Sequence, residues 1–151
     1  MLDVTVEVHV PRKPEEVFEF VAERFFDNHH RWDPAVSMVK DSPGPVALGT
    51  RGRETRRFLG RQVAKVQVTK LDRPGRFALR NLDGPFELDR GYSFEPAPGG
   101  TLIRFRFRMR PRPLPLRLLF PLLSPAIARQ VRANIGRFPS LLGAEPKPAP
   151  E

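Results

Sequence analysis

The run TLIRFRFRMR, residues 101–110, constrains this chain more than any other stretch. Ile103, Phe105, Phe107 and Met109 alternate with Arg104, Arg106, Arg108 and Arg110. A period of two belongs to an extended strand that has one face in a core and the other in water. The N-terminus repeats the pattern. Leu2, Val4, Val6, Val8 and Val10 fall on one face, and Asp3, Thr5, Glu7 and His9 on the other, until Pro11 ends the run. Between these two stretches lie AVSMVKD, TRGRETRRFL, RQVAKVQVTKL, RFALRNL and FELDRGYSFEP. They are separated by the turn signals SPGPVALG, Gly60, DRPG and DGP, and APGG precedes the last strand. Turns at this interval predict seven antiparallel strands.

Helical periodicity is confined to three places. KPEEVFEFVAERFF has Pro14 for a first turn, Glu15 and Glu16 for the positive end of the helix dipole, and Val17, Phe18, Val21 and Phe25 as a buried side. Residues 27–34 follow as a short helical turn or loop, because Pro34 disfavours helix at Asp33. Near the C-terminus Ile127, Val131, Ile135, Phe138 and Leu142 form a stripe at three- and four-residue steps. Pro121, Pro125 and Pro139 are expected to break or kink that segment. One long helix is therefore left to cover a one-faced sheet of seven strands. A strongly curved sheet wrapped round the helix buries both, an α+β arrangement that leaves room for a cavity between them.

The chain of 151 residues suits a single domain, residues 1–143, with a disordered tail, AEPKPAPE, at 144–151. There is no cysteine, which excludes disulfides, thiolate metal sites and a thiol nucleophile. The N-terminal run carries charges from residue 3 and alternates, so it reads neither as a signal peptide nor as a membrane anchor. A cytoplasmic location is the expectation. The net charge of +9 is uneven: +1 over residues 1–100 and +8 over residues 101–151. Arginine supplies nearly all of it.

Candidate sites are few. FDNHHRWDP, residues 26–34, holds two of the three histidines and the only tryptophan. Adjacent His29 and His30 point about 100° apart on a helix, so they do not share a metal ion easily. No HxH, HxxxH or HxxE spacing is present. No metal is expected, and both histidines are expected to be exposed. The serines lack a nucleophile-elbow context, and GPG and APGG are turns rather than phosphate cradles. FELDRGYSF is more informative. Arg90 and Tyr92 share a face with Phe86, Leu88 and Phe94. A guanidinium facing an apolar interior needs an oxygen partner, supplied by the protein or by a carboxylate, phosphate or phenolate of a ligand. Alternatively Arg90 reaches the rim and water, or a bulge at Gly91 flips the register. Arg53, Thr55 and Arg57 are candidates for the opposite wall, on a strand whose parity is ambiguous. The arginine row 104–110 faces Glu87, Asp89 and Glu95 of the preceding strand and reads as a solvated ladder. With the aromatics on the other face, nucleic-acid binding is not expected.

In order, VPRKPEEVFEFVA, RWDPAV, LGTRGRETRRFLGR, VTKLDRPGRFALRNLDGPF, YSFEPAPGGTLIRF and the apolar C-terminal helix resemble the START-like, or SRPBCC, superfamily, nearest its bacterial polyketide cyclase/dehydrase-like group. The resemblance covers about residues 2–142 and implies the helix-grip fold with a deep, mostly apolar cavity. It departs at RFPSLLGAE, where Pro139 stands inside a helix that usually ends in a leucine–lysine–glutamate pattern. The resemblance places Trp32 beside the cavity mouth. Trp32, Tyr92, Phe105, Phe107, Val131, Ile135 and Phe138 would supply apolar wall, and Arg90 would orient a polar head. The expected function is binding of a hydrophobic small molecule such as a lipid or polyketide, without a cofactor. An aromatase/cyclase-type enzyme using Arg90 and Tyr92, or a protein-interaction module, are the alternatives. RPRPLPLRLLFPLLSP, residues 110–125, is expected to form a mobile entrance that touches anionic membrane; alternatively its leucines cap the core or form a homodimer contact.

Overall fold

The computed structural model describes residues 1–57 and 60–143. The expected disordered tail lies outside these residues. The seven predicted strands all form, and they pair in one antiparallel sheet. They are β1 (Leu2–Val10), β2 (Val36–Lys40), β3 (Arg51–Arg57), β4 (Arg61–Asp72), β5 (Arg76–Asn81), β6 (Phe86–Ala97) and β7 (Gly100–Pro111). Their order is β1-β7-β6-β5-β4-β3-β2. Every neighbour after β1–β7 is a sequential hairpin, and β1 closes against the last strand. Leu2 pairs with Met109, and Val10 with Thr101.

Alternation decides which face is wet. On β7, Ile103, Phe105, Phe107 and Met109 are buried, while Arg106, Arg108 and Arg110 are exposed. The outer face carries the expected ladder in part. Arg104 contacts Glu7 at 3.0 Å and Glu95 at 3.1 Å. Asp3 takes both nitrogens of Arg106, at 3.1 and 2.8 Å. Asp89 instead pairs with Arg80 of β5, at 2.9 Å.

After β1 come α1 (Pro14–Phe18), a π-helical turn (Glu19–Glu23) and α2 (Phe25–Trp32). The wide turn and the non-helical backbone of Arg24 (φ −109°, ψ 28°) divide what the sequence reads as one helix. Val17, Phe18, Val21 and Phe25 are all buried, so the predicted stripe survives the break. α2 ends one residue before Asp33, as Pro34 requires. It lies across β2 and β3, where Gly52 makes room. A Cβ there would collide with Phe26 Cε1 and stand 2.6 Å from the Val39 carbonyl.

α3 (Leu114–Ile135) and α4 (Phe138–Leu142) complete the chain. Ile127, Val131 and Ile135 on α3, and Phe138 and Leu142 on α4, are buried in the concavity of the sheet. The prolines correct one expectation. Residues 114–125 are not broken by their prolines; they form the first half of α3, with Pro121 and Pro125 inside the helix. Pro113 precedes the helix in extended conformation, and Pro115 sits in the first turn, where no intrahelical N–H is needed. Pro121 and Pro125 are exposed, so the carbonyls they leave unpaired, of Arg117 and of Pro121 itself, face a helix side open to water. Pro139 behaves as expected, since the apolar stripe is interrupted at Gly136–Arg137 and restarts with Pro139 in the first turn of α4.

Candidate ligand-binding cavity

Between the concave sheet and α3 lies a cavity of about 290 Å³. Its floor is the inner face of β6 and β7: Arg90, Tyr92, Phe105, Phe107 and Met109. Ala126, Ile127, Gln130, Val131, Asn134 and Ile135 of α3 form the roof, and His29, Trp32 and Asp33 at the end of α2 form one side. Seven of the eight residues the sequence singles out, Trp32, Arg90, Tyr92, Phe105, Phe107, Val131 and Ile135, come together on this wall. Phe138 does not line it. It lies behind Trp32, ring centroids 4.9 Å apart, and props the indole. The helix turns at Gly136–Arg137 before reaching Phe138, which carries that side chain off the cavity axis. Aromatic contacts hold the floor: Tyr92 lies 4.6 Å from Phe105 and 5.8 Å from Phe77, centroid to centroid.

Arg90 neither snorkels nor escapes through a bulge. The ladder runs unbroken through Arg90–Phe107 and Gly91–Arg106. Its side chain is 2 % exposed, its Nη2 lies 2.8 Å from Glu54 Oε2, and it donates to Asn81 Oδ1 at 3.0 Å. Glu54 continues to Arg56, whose Nε lies 3.3 Å from Oε1, and Arg56 Nη2 lies 3.5 Å from Asp33 Oδ2. Asp33 Oδ2 in turn lies 3.7 Å from His29 Nε2. A chain of alternating charge thus crosses the sheet from β5 and β6 through β3 to the end of α2. These groups share one low-dielectric interior and set one another's ionisation. Burial alone would raise the Glu54 carboxyl, but the guanidinia of Arg90 and Arg56 outweigh it and hold its pKa at about 2. Asp33 is raised by burial, against the pull of Arg56 and Arg90. His29 is lowered well below its ordinary value, by burial first and by Arg90 second, so its imidazole is neutral near pH 7. Burial pushes the Tyr92 hydroxyl up, keeping it a neutral donor.

His29 is a correction. It is 2 % exposed, packed 4.8 Å from Phe25 and 5.3 Å from Trp32, whereas His30 is exposed as expected. On α2 the two side chains point apart, and only His29 falls on the side that meets the core. The parity of β3 is the second correction. Gly52, Glu54 and Arg56 turn inward, not Arg53, Thr55 and Arg57, although Arg57 reaches the cavity at its mouth. In RGRETRR neither parity carries an apolar residue, so alternation gives no signal there. Glu54 and Arg56 were missed for that reason.

Several buried nitrogens on this wall make no hydrogen bond among the described residues: Arg90 Nε and Nη1, and His29 Nδ1. Buried polar atoms are normally satisfied. Here they cluster on one side of a cavity whose floor and roof are mostly apolar. Among the described residues no group of His, Asp and Glu is arranged to hold a metal ion.

Comparison with known proteins agrees with this architecture. Protein BH1534 from Bacillus halodurans is 13 % identical with a TM-score of 0.71, over 94 % of this chain and 97 % of that one. Protein DR_A0006 from Deinococcus radiodurans is 21 % identical with a TM-score of 0.67, over 91 % and 94 %. A START superfamily protein from Mycobacterium smegmatis is 16 % identical with a TM-score of 0.61, over 89 % and 97 %. No curated protein matches the chain. The model of the family described as polyketide cyclase / dehydrase and lipid transport matches residues 1–143. With a matching family model over nearly its whole length and the helix-grip arrangement of sheet and helix, the chain belongs to that family, within the START-like, or SRPBCC, superfamily.

Proposed function

We propose that this protein binds a hydrophobic small molecule in the cavity, with an oxygen of the ligand held at the Arg90 end. The observation that carries this reading is the pairing of an apolar wall with buried Arg90 donors that no described residue satisfies. Phe105, Phe107, Met109, Ile127, Val131 and Ile135 would cover the apolar body. Arg90, with Trp32 and Tyr92 beside it, would donate to the oxygen. The volume lies at the lower end of the range for small-molecule sites, about 300–1,000 Å³, which favours a compact ring system or a short acyl chain. Glu54 already offsets the charge of Arg90, so its spare N–H groups suit a neutral carbonyl. A carboxylate would add a negative charge beside Glu54 and Asp33. Native mass spectrometry of the purified chain, followed by displacement of a neutral fluorescent probe, tests the reading. Wild type should bind the probe, and Val131→Trp, which fills the cavity, should lose it by at least about tenfold. Equal binding by both would place the ligand elsewhere and sink the proposal.

A second reading is favoured by His29. A neutral imidazole on the same wall as the Arg90 donors would remove a proton from a carbon flanked by two carbonyls. Arg90 would steady the oxygen on which charge develops. The resulting carbon nucleophile would close a ring on a further carbonyl of the same ligand. Cyclised product from a linear poly-carbonyl substrate, lost in His29→Gln while probe binding persists, would support this reading. Retention of the product would remove it.

A further inference from the structure

The first half of α3 presents an apolar face that nothing among the described residues covers. Leu114, Leu118, Leu119 and Leu122 are 65 %, 74 %, 50 % and 78 % exposed. Leu114, Leu118 and Leu122 follow one another at four-residue steps, so they stand along one side of the helix. The opposite side is the buried one, beginning with Phe120 and continuing through Ile127, Ala128 and Val131. The outward stripe does not stop at Leu122. One turn on is Ala126, which with Ile127 and Gln130 forms part of the cavity wall. The exposed leucines therefore lead to the place where α3 meets the cavity.

The surroundings of the stripe are basic. Arg110, Arg112 and Arg117 lie at its N-terminal end, and Arg129 and Arg132 on the exposed side of the second half of α3. No acidic residue occurs between Thr101 and Gly143. Among the described residues, Glu87 of β6 reaches these groups from elsewhere, 3.7 Å from Arg112.

We propose that this face seats the protein on an anionic lipid bilayer, lying in the headgroup region with the leucines inserted. The charges choose between occupants. A second copy of the chain would meet the stripe with the same arginines and no carboxylates of its own segment, so a two-fold contact would press like charges together. An anionic bilayer answers both halves of the face: acyl chains take the leucines and headgroups take the arginines. The prolines set the depth. Pro121 and Pro125 leave backbone carbonyls of the helix without an N–H partner, and such groups need water or headgroups. Seating is therefore shallow, and no helix among the described residues is long and apolar enough to cross a membrane. This inference rests on the surface alone and stands independently of what the cavity holds.

Co-sedimentation of the full chain with vesicles tests it. Phosphatidylcholine vesicles with and without phosphatidylglycerol are compared at low and high salt. Wild type should partition at least about tenfold more strongly onto the anionic vesicles and lose most of that preference at high salt. Leu118→Asp combined with Leu122→Asp should reduce anionic binding at least about tenfold. Both positions are exposed, so the variant should melt as wild type does. Leu48→Asp, at an exposed leucine outside α3, should bind as wild type. Negligible binding throughout overturns the proposal. So does salt-sensitive binding that the double variant retains, since that is diffuse basic charge and not this face. Dimerisation abolished by the double variant, with no vesicle binding, would overturn it too and assign the face to self-association.

Discussion

At the scale of single residues, the buried charge chain and the outer arginine ladder use the same chemistry with opposite consequences. Arg106 holds Asp3 through two short contacts in solvent, where water and salt screen the pair and it adds little to stability. Arg106→Gln should therefore shift the urea midpoint little. Arg90 and Glu54 are 2 % and 4 % exposed, and removing one strands the other in the interior. Arg90→Met or Glu54→Leu alone should each cost about 3–5 kcal/mol by denaturant unfolding, and the double variant less than the sum of the two, Arg56 then keeping only Asp33 as its partner. A double variant as unstable as the sum of the singles would show that the two do not act as a pair. His29 supplies a pH dependence of known sign. Its folded pKa is depressed below 6.5, so the unfolded chain binds the extra proton first, and stability is lost as pH falls below 6.5. Asp33, raised by burial, acts in the opposite direction, gaining stability as the folded state takes up its proton early. Glu54, held at about 2 against an ordinary 4.5, loses its contribution progressively as pH falls below 4.5 and retains none below about 2. Thermal melts between pH 7 and pH 5 should fall for wild type and fall less for His29→Gln, whose neighbours Asp33, Glu54, Arg56, Arg90 and His30 stay in place. An unchanged slope would refute this account of His29.

Among the elements, α3 departs furthest from local preference. Pro121 and Pro125 each forgo a backbone hydrogen bond inside a helix, yet the 22-residue helix is continuous. Packing of Phe120, Ile127, Ala128, Val131 and Ile135 into the sheet outweighs the local loss. Because both prolines are exposed, alanine can restore the hydrogen bond without disturbing that packing. Pro121→Ala should raise stability by about 1–3 kcal/mol in equilibrium unfolding. A neutral or destabilising result would mean that the helix is built around the proline geometry. β3 depends instead on a missing side chain. Gly52→Ala would drive a Cβ into Phe26 and the Val39 carbonyl, and should destabilise by about 1–3 kcal/mol.

For the whole molecule, the fold joins a stable shell to a less fully packed interior. The continuous ladder of seven strands and the aromatic cluster around Trp32, Phe25 and Phe77 secure the sheet. The cavity lies under α3, with Trp32 of that cluster on its side. A ligand that binds the folded state alone stabilises the whole chain by mass action, about 2.7 kcal/mol at a hundredfold excess over Kd. Neutral carbonyl compounds should therefore raise the melting temperature in proportion to the logarithm of their concentration, more than carboxylates of the same carbon skeleton. Val131→Trp should abolish the shift. A larger shift with the carboxylates would contradict the charge-balanced reading of Arg90 and Glu54.

What the sequence determined by itself was the frame. Alternation in β1 and β7, the spacing of turns, and the stripe from Ile127 to Leu142 specify seven strands and a helix to cover them, because each pattern records one face turned from water. The same signal put Arg90 and Tyr92 on the inner face beside Phe105 and Phe107. The tertiary structure decided what faces Arg90. Glu54 and Arg56 come from a strand with no apolar residue on either parity, and His29 is buried by the angle at which α2 meets the sheet. These depend on residues far apart in the chain, and a partner across a sheet leaves no mark on local periodicity. The helical state of residues 114–125 was decided in the same way. Proline chemistry is local and argues against helix there, while the core that overrides it is assembled from β1, β6 and β7.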